Sequence, residues 1–243
     1  MSTLFISDLH LSSDQSAITQ LFLNFLQHQA RQAEALYILG DLFETWIGDD
    51  NLSPYNQTII TALAELTASG VATYFMPGNR DFLIGKRFIQ QTGCRYLVDP
   101  TMIDLYGSPT LLTHGDSWCT LDEDYQRYRR WSRYPFWQFA FLHLPLTWRQ
   151  KIANHLRGQE HSTTPTDPAK YDVVMADLLA CLKHYPQTQQ IIHGHTHLPS
   201  IQLLKQTDNT WIKRFVLSDW HPKQGNVLVA LPDQTFELKY FSS

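Results

Sequence analysis

Apolar and polar positions along the chain fall into short blocks that predict a βαβαβ opening. Leu4-Phe5-Ile6 is an apolar run that stops at Ser7-Asp8, as a buried strand does. Ile18, Leu21, Phe22, Phe25 and Leu26 then recur at the spacing of an amphipathic helix. Leu36-Tyr37-Ile38-Leu39 predicts the next strand, ending at Gly40-Asp41. Ile59, Ile60, Leu63 and Leu66 predict a second helix, stopped at Ser69-Gly70 by a glycine cap. Ala72 to Met76 predicts a third strand, ending at Pro77-Gly78-Asn79. Thr110-Leu111-Leu112 and Gln190-Ile191-Ile192 are two more, ending at Thr113-His114-Gly115 and His193-Gly194-His195. Three apolar runs close the chain, at 213–217, 227–231 and 236–241, and the turn residues Asn226, Pro232 and Asp233 between them predict antiparallel strands. Short links between alternating strands and helices give an α/β protein with helices packed on a sheet.

Residues 118–170 do not follow this pattern. Ten of the chain's 31 aromatic residues lie between Trp118 and Trp148. From Arg127 to Arg157 there are seven Lys or Arg residues and no acid. This stretch carries +3 where the remainder carries −7, and it reads as an inserted helical cap. The expected organisation is therefore a core of residues 1–117 and 171–243 with a hydrophobic, basic cap at 118–170. Trp137, Phe141 and Leu144 at helical spacing could form a small core of the cap. An open apolar chamber, with Arg127, Arg129, Arg130, Arg133, Arg149, Lys151 and Arg157 toward anionic groups, is the favoured reading.

Bulk properties narrow the field. A hydrophobic fraction of 43% and a charged fraction of 17% belong to a folded globular chain. A net charge of −4 argues against a nucleic-acid partner. Cys94, Cys119 and Cys181 are widely spaced and odd in number, which points to free thiols in a reducing compartment. No apolar run approaches the ~18 residues of a membrane span, and the first residues lack the basic start of a signal peptide. A cytoplasmic protein is the expectation.

Candidate chemistry sits at the strand ends. Five segments place a metal-capable residue just after a predicted strand: Asp8-Leu9-His10, Gly40-Asp41, Gly78-Asn79-Arg80-Asp81, His114-Gly115-Asp116 and Gly194-His195-Thr196-His197. Each alone is weak, since Asp after Gly is commonly a turn residue and Asn suits a left-handed turn. Their joint occurrence, each at a strand end, is the signal, because ligands of α/β proteins gather beyond the carboxyl ends of strands. Two divalent ions about 3.5–4 Å apart share a bridging anion, and Asp41 is the natural bridge. Asp8, His10 and one distal histidine can hold the first ion, and Asn79, His114 and the other distal histidine the second. Oxygen and imidazole without thiolate suit Mn²⁺, Fe²⁺ or Zn²⁺.

Together these motifs resemble the calcineurin-like metallophosphoesterase superfamily. Within it, the run Ile38-Leu39-Gly40-Asp41-Leu42-Phe43-Glu44-Thr45-Trp46-Ile47-Gly48-Asp49-Asp50 is similar to the family of UDP-2,3-diacylglucosamine pyrophosphatases, as are residues 78–88 and His114-Gly115-Asp116 followed by Cys119-Thr120. The resemblance implies an αββα sandwich with an inserted helical cap and a Mn²⁺-dependent cleavage of an acylated UDP-sugar in lipid A biosynthesis. It assigns Asp8, His10, Asp41 and His197 to one ion and Asp41, Asn79, His114 and His195 to the other. It places attack at the phosphorus nearer uridine, and the protein at the cytoplasmic face of the inner membrane, in peripheral contact with anionic lipid. Two departures stand out: Leu198 follows the last motif where the family often has Arg, and the polar run 159–170 differs from that of relatives.

Asp41, Asn79, Arg80 and His114 are the expected catalytic group. Arg80 stands where many superfamily members have a histidine acid. Arginine holds its proton near neutral pH, so it suits a bidentate clamp on phosphate oxygens. Substrate contacts are expected from Asn79, Arg80, Asp122, Tyr125, Thr164, Lys170 and His195. Asp122 has an equal alternative as a helix cap, and His193 is expected to end a strand rather than bind metal. The alternatives to this activity are another metallophosphoesterase acting on soluble phosphodiesters, a non-catalytic metal scaffold, and a nuclease. The intact ligand set disfavours the scaffold, and the acidic core disfavours the nuclease.

Overall fold

A computed structural model of the chain describes residues 2–162, 172–205 and 210–242. Among these, the N-terminal half alternates β1 (Thr3–Ile6), α1 (Ser16–His28), β2 (Ala35–Leu39), α2 (Pro54–Ala68), β3 (Ala72–Met76), α3 (Lys86–Thr92) and β4 (Arg95–Tyr96). The hairpin β5 (Thr101–Leu105) and β6 (Ser108–Thr113) follows, then α4 (Glu123–Ser132), α5 (Pro135–Leu142), α6 (Leu146–Ser162) and α7 (Met175–Leu182). The chain ends with β7 (Gln190–His193), β8 (Ser200–Lys205), β9 (Trp211–Val216), β10 (Gly225–Ala230) and β11 (Phe236–Phe241).

These strands make two sheets, ordered β11-β10-β1-β2-β3-β4 and β5-β6-β7-β9-β8. The β1-β2-β3-β4 and β6-β7-β9 runs are parallel, and the remaining pairs are antiparallel. Alternation along the strands sorts the core into layers, because successive side chains point to opposite faces. Leu4, Ile6, Leu36 and Ile38 face α1, α2 and α3. Phe5, Leu39 and Met76 meet Leu112, Ile192 and Phe215 between the sheets. Leu111 and Ile191 turn the other way, onto Leu178 and Leu182 of α7. The result is the expected αββα sandwich, with the carboxyl ends of its parallel strands along one edge.

The structure changes one expectation for the tail. Only β10 and β11 pair antiparallel to each other; β9 lies in the other sheet, parallel to β7 and antiparallel to β8. The apolar pattern marks β9 as a strand but carries no record of its partner.

Helices α4, α5 and α6 lie outside both sheets. No side chain of α5 is buried, and Trp131, Tyr134, Phe136, Phe139 and Trp148 are more than half exposed. The aromatic residues of this segment therefore present a surface and do not form the small core considered above. Two buried attachments hold the segment down. On α6, Arg149 is only 2% exposed and pairs with both carboxylate oxygens of Asp50 and with the Ile47 carbonyl. Beneath α4, Asp116 is fully buried among polar groups of that helix.

Candidate metal centre

The loops that follow β1 and β2 run side by side. The amides of Asp8, His10 and Leu11 donate to the carbonyls of Gly40, Asp41 and Leu42 at 3.1, 3.0 and 2.9 Å. Asp8, His10 and Asp41 reach these positions with φ of 55°, 50° and 53°, and His195 and His197 have φ of 70° and 55°. A left-handed backbone costs a residue with a Cβ about 1–2 kcal/mol. Strain of this kind persists where surrounding structure enforces it, commonly at functional sites. Close approach also explains two glycines. A Cβ on Gly40 would collide with the His114 ring, and one on Gly78 with the Asp41 carboxylate.

Donor atoms converge between the loops. Asp8 is fully buried; its Oδ2 accepts from Ser7 Oγ at 2.5 Å and from the His195 amide at 2.9 Å. Its Oδ1 has no hydrogen-bond partner among the described residues and lies 3.6 Å from His197 Nε2. Asp41 faces two histidines with different oxygens, Oδ2 at 3.8 Å from His10 Nε2 and Oδ1 at 3.7 Å from His114 Nε2. Asn79 Oδ1 accepts from His114 Nε2 at 2.8 Å and His195 Nδ1 at 2.9 Å. Separations near 3.7 Å are too long for hydrogen bonds. They suit donors shared by one ion, since metal–ligand bonds of about 2.1 Å set neighbouring donors about 3–4 Å apart. The donor atoms of Asp8, His10 and His197 lie within 4.8 Å of one another, as do those of Asp8, Asp41 and His114. All seven expected ligands are thus brought together. The orphaned Asp8 Oδ1 and the mixed oxygen and imidazole set fit divalent ions, with Asp41 placed to span two.

Without metal, the histidines hold protons that the carboxylates favour. Burial alone would lower the His10 ring, but Glu44, Asp41 and Asp8 raise it to about 8. Burial also opposes protonation of His114, and the charges of Asp41, Asp8 and Asp116 outweigh it, raising that ring to about 9. His195 goes the other way, to about 4, through burial and the neighbouring His114 charge. Leu39 O can only accept, so His114 Nδ1, 2.9 Å away, carries hydrogen. The proton that a metal must displace is therefore the one on Nε2.

A pH dependence follows. Raised folded-state values mean that His10 and His114 stabilise the metal-free fold below their unfolded value of 6.5. That contribution is lost as pH rises through about 8 and 9. His195 is neutral in the fold throughout this window, and its unfolded ring sheds its charge just above pH 6.5, so it adds little. Metal binding needs both rings deprotonated. The melting temperature of metal-free protein should fall between pH 6.5 and 9, and the gain on metal addition should widen. Scanning calorimetry at fixed free metal checks this, and a gain that shrinks with pH would contradict it.

The other expected residues divide. Arg80 reaches the rim, with Nη1 4.0 Å from Glu44 Oε1. Asp122 caps α4, accepting from the Tyr125 amide at 3.0 Å. The Tyr125 ring stacks near His195 at 6.1 Å, and its hydroxyl donates to Asp116 Oδ2 at 2.5 Å. Thr164 and Lys170 lie outside the described residues. His193 donates from Nδ1 to Gly194 O at 2.8 Å and accepts from Arg214 Nε at 2.9 Å, so both nitrogens are engaged away from the centre.

Several organising residues went unassigned in the sequence. Asp81 is fully buried and accepts from the Gly78 and Leu42 amides, each at 2.8 Å, locking the loops after β2 and β3 together. Asp49 accepts from Gly85, Arg87 and Phe88 amides at the start of α3, at 3.0 to 3.1 Å. Asp81 and Asp116 sit inside motifs already noted, so their position was available. Arg149 was one basic residue in a basic run and carried no such mark.

A model of the calcineurin-like phosphoesterase family matches residues 1–199. The chain is 49% identical over 241 residues to a protein of Coxiella burnetii, covering 98% of this chain and 97% of that one. It is 47% identical over 234 residues to one of Photobacterium profundum, covering 96% and 94%. A Pseudomonas aeruginosa protein matches at 46% over 225 residues, 93% of each chain. All three relatives are named UDP-2,3-diacylglucosamine hydrolase.

Proposed function

The chain belongs to the calcineurin-like phosphoesterase family, and on that premise we propose that it hydrolyses the pyrophosphate of UDP-2,3-diacylglucosamine to UMP and 2,3-diacylglucosamine 1-phosphate in lipid A biosynthesis. The family implies divalent metal ions, and the observation that carries the chemistry is the Asp41 carboxylate, whose two oxygens face the histidines of two donor groups. Asp8, His10, Asp41 and His197 would hold one ion, and Asp41, Asn79, His114 and His195 the other. Mn²⁺ is the assignment that the family resemblance implies, and the oxygen and imidazole donors accept it as they do Fe²⁺ or Zn²⁺. Such a pair activates the attacking water and neutralises charge on the phosphoryl group.

The remaining work falls to side chains. The water oxygen bonds to the phosphorus nearer uridine, and the bond to the bridging oxygen breaks. The sugar 1-phosphate leaves with that oxygen and the electron pair. A phosphate leaving group needs little protonation, so Arg80 can stay charged and clamp phosphate oxygens. Tyr125, fixed over His195, would bound the substrate beside it. The exposed aromatic rings of α4 to α6 would cover the acyl chains, with exposed Arg127, Arg130 and Lys151 meeting anionic lipid, whereas Arg129, Arg133 and Arg149 are engaged by Asp116 and Asp50. None of the helices described is long and apolar enough to cross a membrane, so that contact would be peripheral.

UMP release by metal-stripped protein tests this reading. Release should require added Mn²⁺ and fall at least about tenfold when the substrate lacks its acyl chains. The tenfold figure corresponds to about 1.4 kcal/mol of lost binding. Equal turnover of the deacylated compound would remove the lipid specificity. No turnover of either compound by folded, metal-loaded protein would remove the activity.

A further inference from the structure

A histidine that binds metal through one ring nitrogen usually directs the other to an oxygen, which fixes its tautomer and raises its basicity. His114 meets this condition with the backbone, through Leu39 O at 2.9 Å. The two histidines assigned to the first ion meet carboxylates instead. His10 turns Nε2 toward Asp41 and places Nδ1 3.0 Å from Glu44 Oε2. His197 turns Nε2 toward Asp8 and places Nδ1 3.7 Å from Asp219 Oδ2. Neither contact closes as a hydrogen bond in this structure, the first for want of alignment and the second for its length, and Asp219 Oδ2 also faces His221 Nε2 at 3.5 Å.

Both carboxylates are held by backbone beside the ligands of the first ion. The Glu44 amide donates to Leu11 O at 3.1 Å, one residue beyond His10, and its side chain is 12% exposed. Asp219 stands just beyond the carboxyl end of β9, the parallel neighbour of β7, so it is a further strand-end residue at the same edge. Its carbonyl accepts from Asn226 Nδ2 at 2.7 Å. The next amide, of Trp220, donates to Asp8 O at 3.2 Å, and the Trp220 indole is buried against Phe22, Phe25 and Phe241. The loop holding Asp219 is thus pinned both to the core and to the backbone of a ligand.

We propose that Glu44 and Asp219 are outer carboxylates of the first ion, each accepting the Nδ1 hydrogen of one histidine and so leaving Nε2 bare for the metal. This rests on the reading of His10 and His197 as ligands of one ion. The two residues position ligands and do not touch substrate. They add two negative charges around the first ion that the second does not receive from its own histidines. Loss of either carboxylate therefore acts on one site of the pair. Glu44 has a second role, because its Oε1 faces Arg80 Nη1 at 4.0 Å and joins a ligand to the phosphate clamp.

Metal binding itself is the test. Metal-free protein is titrated with Mn²⁺, bound ions are counted after equilibrium dialysis, and electron paramagnetic resonance reports whether the bound ions are coupled. Wild type should bind two ions with a coupled spectrum. In Glu44→Gln and Asp219→Asn, affinity for the first ion should drop about 10- to 100-fold, with the second ion changed less than about threefold. The double variant should hold one ion with an uncoupled spectrum. Asp219→Glu should recover part of the loss where Asp219→Ala does not, and circular dichroism confirms that each variant is folded. Wild type binding fewer than two ions would overturn the dinuclear reading and this proposal with it. Two ions in wild type, with unchanged or equally weakened binding of both in the variants, would overturn the outer carboxylates alone.

Discussion

Asp41→Asn should lower turnover by about three to four orders of magnitude, about 4–5 kcal/mol of transition-state stabilisation, and leave at most one ion bound. The amide is the same size as the carboxylate, so the substitution isolates chemistry from packing. Asp41 offers Oδ2 toward His10 and Oδ1 toward His114, and Oδ1 also accepts from the Arg80 amide at 2.8 Å. An amide has one oxygen, and its NH₂ group cannot donate a lone pair to a metal. Whichever way the substituted side chain turned, one of the two donor groups would lose its shared anion. In the metal-free fold the substitution removes the charge that favours the protonated His10 and His114 rings but relieves repulsion with a buried acid, so circular dichroism accompanies each ion count. Burial first, and then the Asp41 charge, raise the fully buried Asp81 carboxyl to about 7. Counting ions by mass spectrometry beside single-turnover rates gives the answer. Two bound ions with more than a tenth of wild-type rate would contradict the bridging role.

The same residue shows how far sequence reasoning reaches. Parallel strands buried on both faces announce themselves by apolar runs, so β1, β2, β3, β6 and β7 and the donor residues after them were all legible. The edge hairpin partner β5, Thr101–Leu105, was not, because its alternation is weak and it is largely half-exposed. Strand β8 was hidden in the same way, with Ile201 and Leu203 exposed at a sheet edge. Short α3 and α7 lacked enough turns to show a period. Within the site, the positions of donors were legible but their backbone was not. Nothing in Asp8-Leu9-His10 or His195-Thr196-His197 marks four left-handed residues, since that conformation is imposed by neighbouring loops. Asp219 was missed for a related reason. It belongs to the edge only because β9 joins the second sheet beside β7, a pairing made by distant segments.

The second large effect is expected at the base of α4. Asp116 is fully buried, and its Oδ2 accepts from Tyr125 at 2.5 Å, Arg129 Nε at 2.7 Å and Arg133 Nη2 at 3.2 Å. Arg133 Nη2 also donates to Gly78 O at 3.0 Å, which carries the network to the loop of Asn79. Burial would raise the Asp116 carboxyl, but the charges of Arg133, His114 and Arg129 outweigh it and hold it well below the usual carboxylate range. With a depressed folded-state value, its contribution is present above about pH 4 and lost only as pH falls toward that value. Asp116→Ala leaves two guanidinium groups, each 21% exposed, facing a site that has lost its anion. Removing one partner of a buried pair costs about 3–5 kcal/mol, and the partial exposure of the arginines brings the expected loss to about 2–3 kcal/mol. The activity loss should be larger than that stability loss suggests, about 100-fold in kcat/KM, because Tyr125 loses its anchor beside His195. Asp116→Asn, which keeps an acceptor for Tyr125 but no charge, should fall between. Both variants should still bind two ions, since Asp116 offers no atom to either donor group. The Arg149 attachment on α6 is independent of Asp116, so the helices should stay docked while α4 loosens over the site. Urea unfolding, ion counts and steady-state kinetics on one preparation separate these effects. A stability loss with unchanged kcat/KM would make Asp116 a fastening of α4 with no bearing on the substrate.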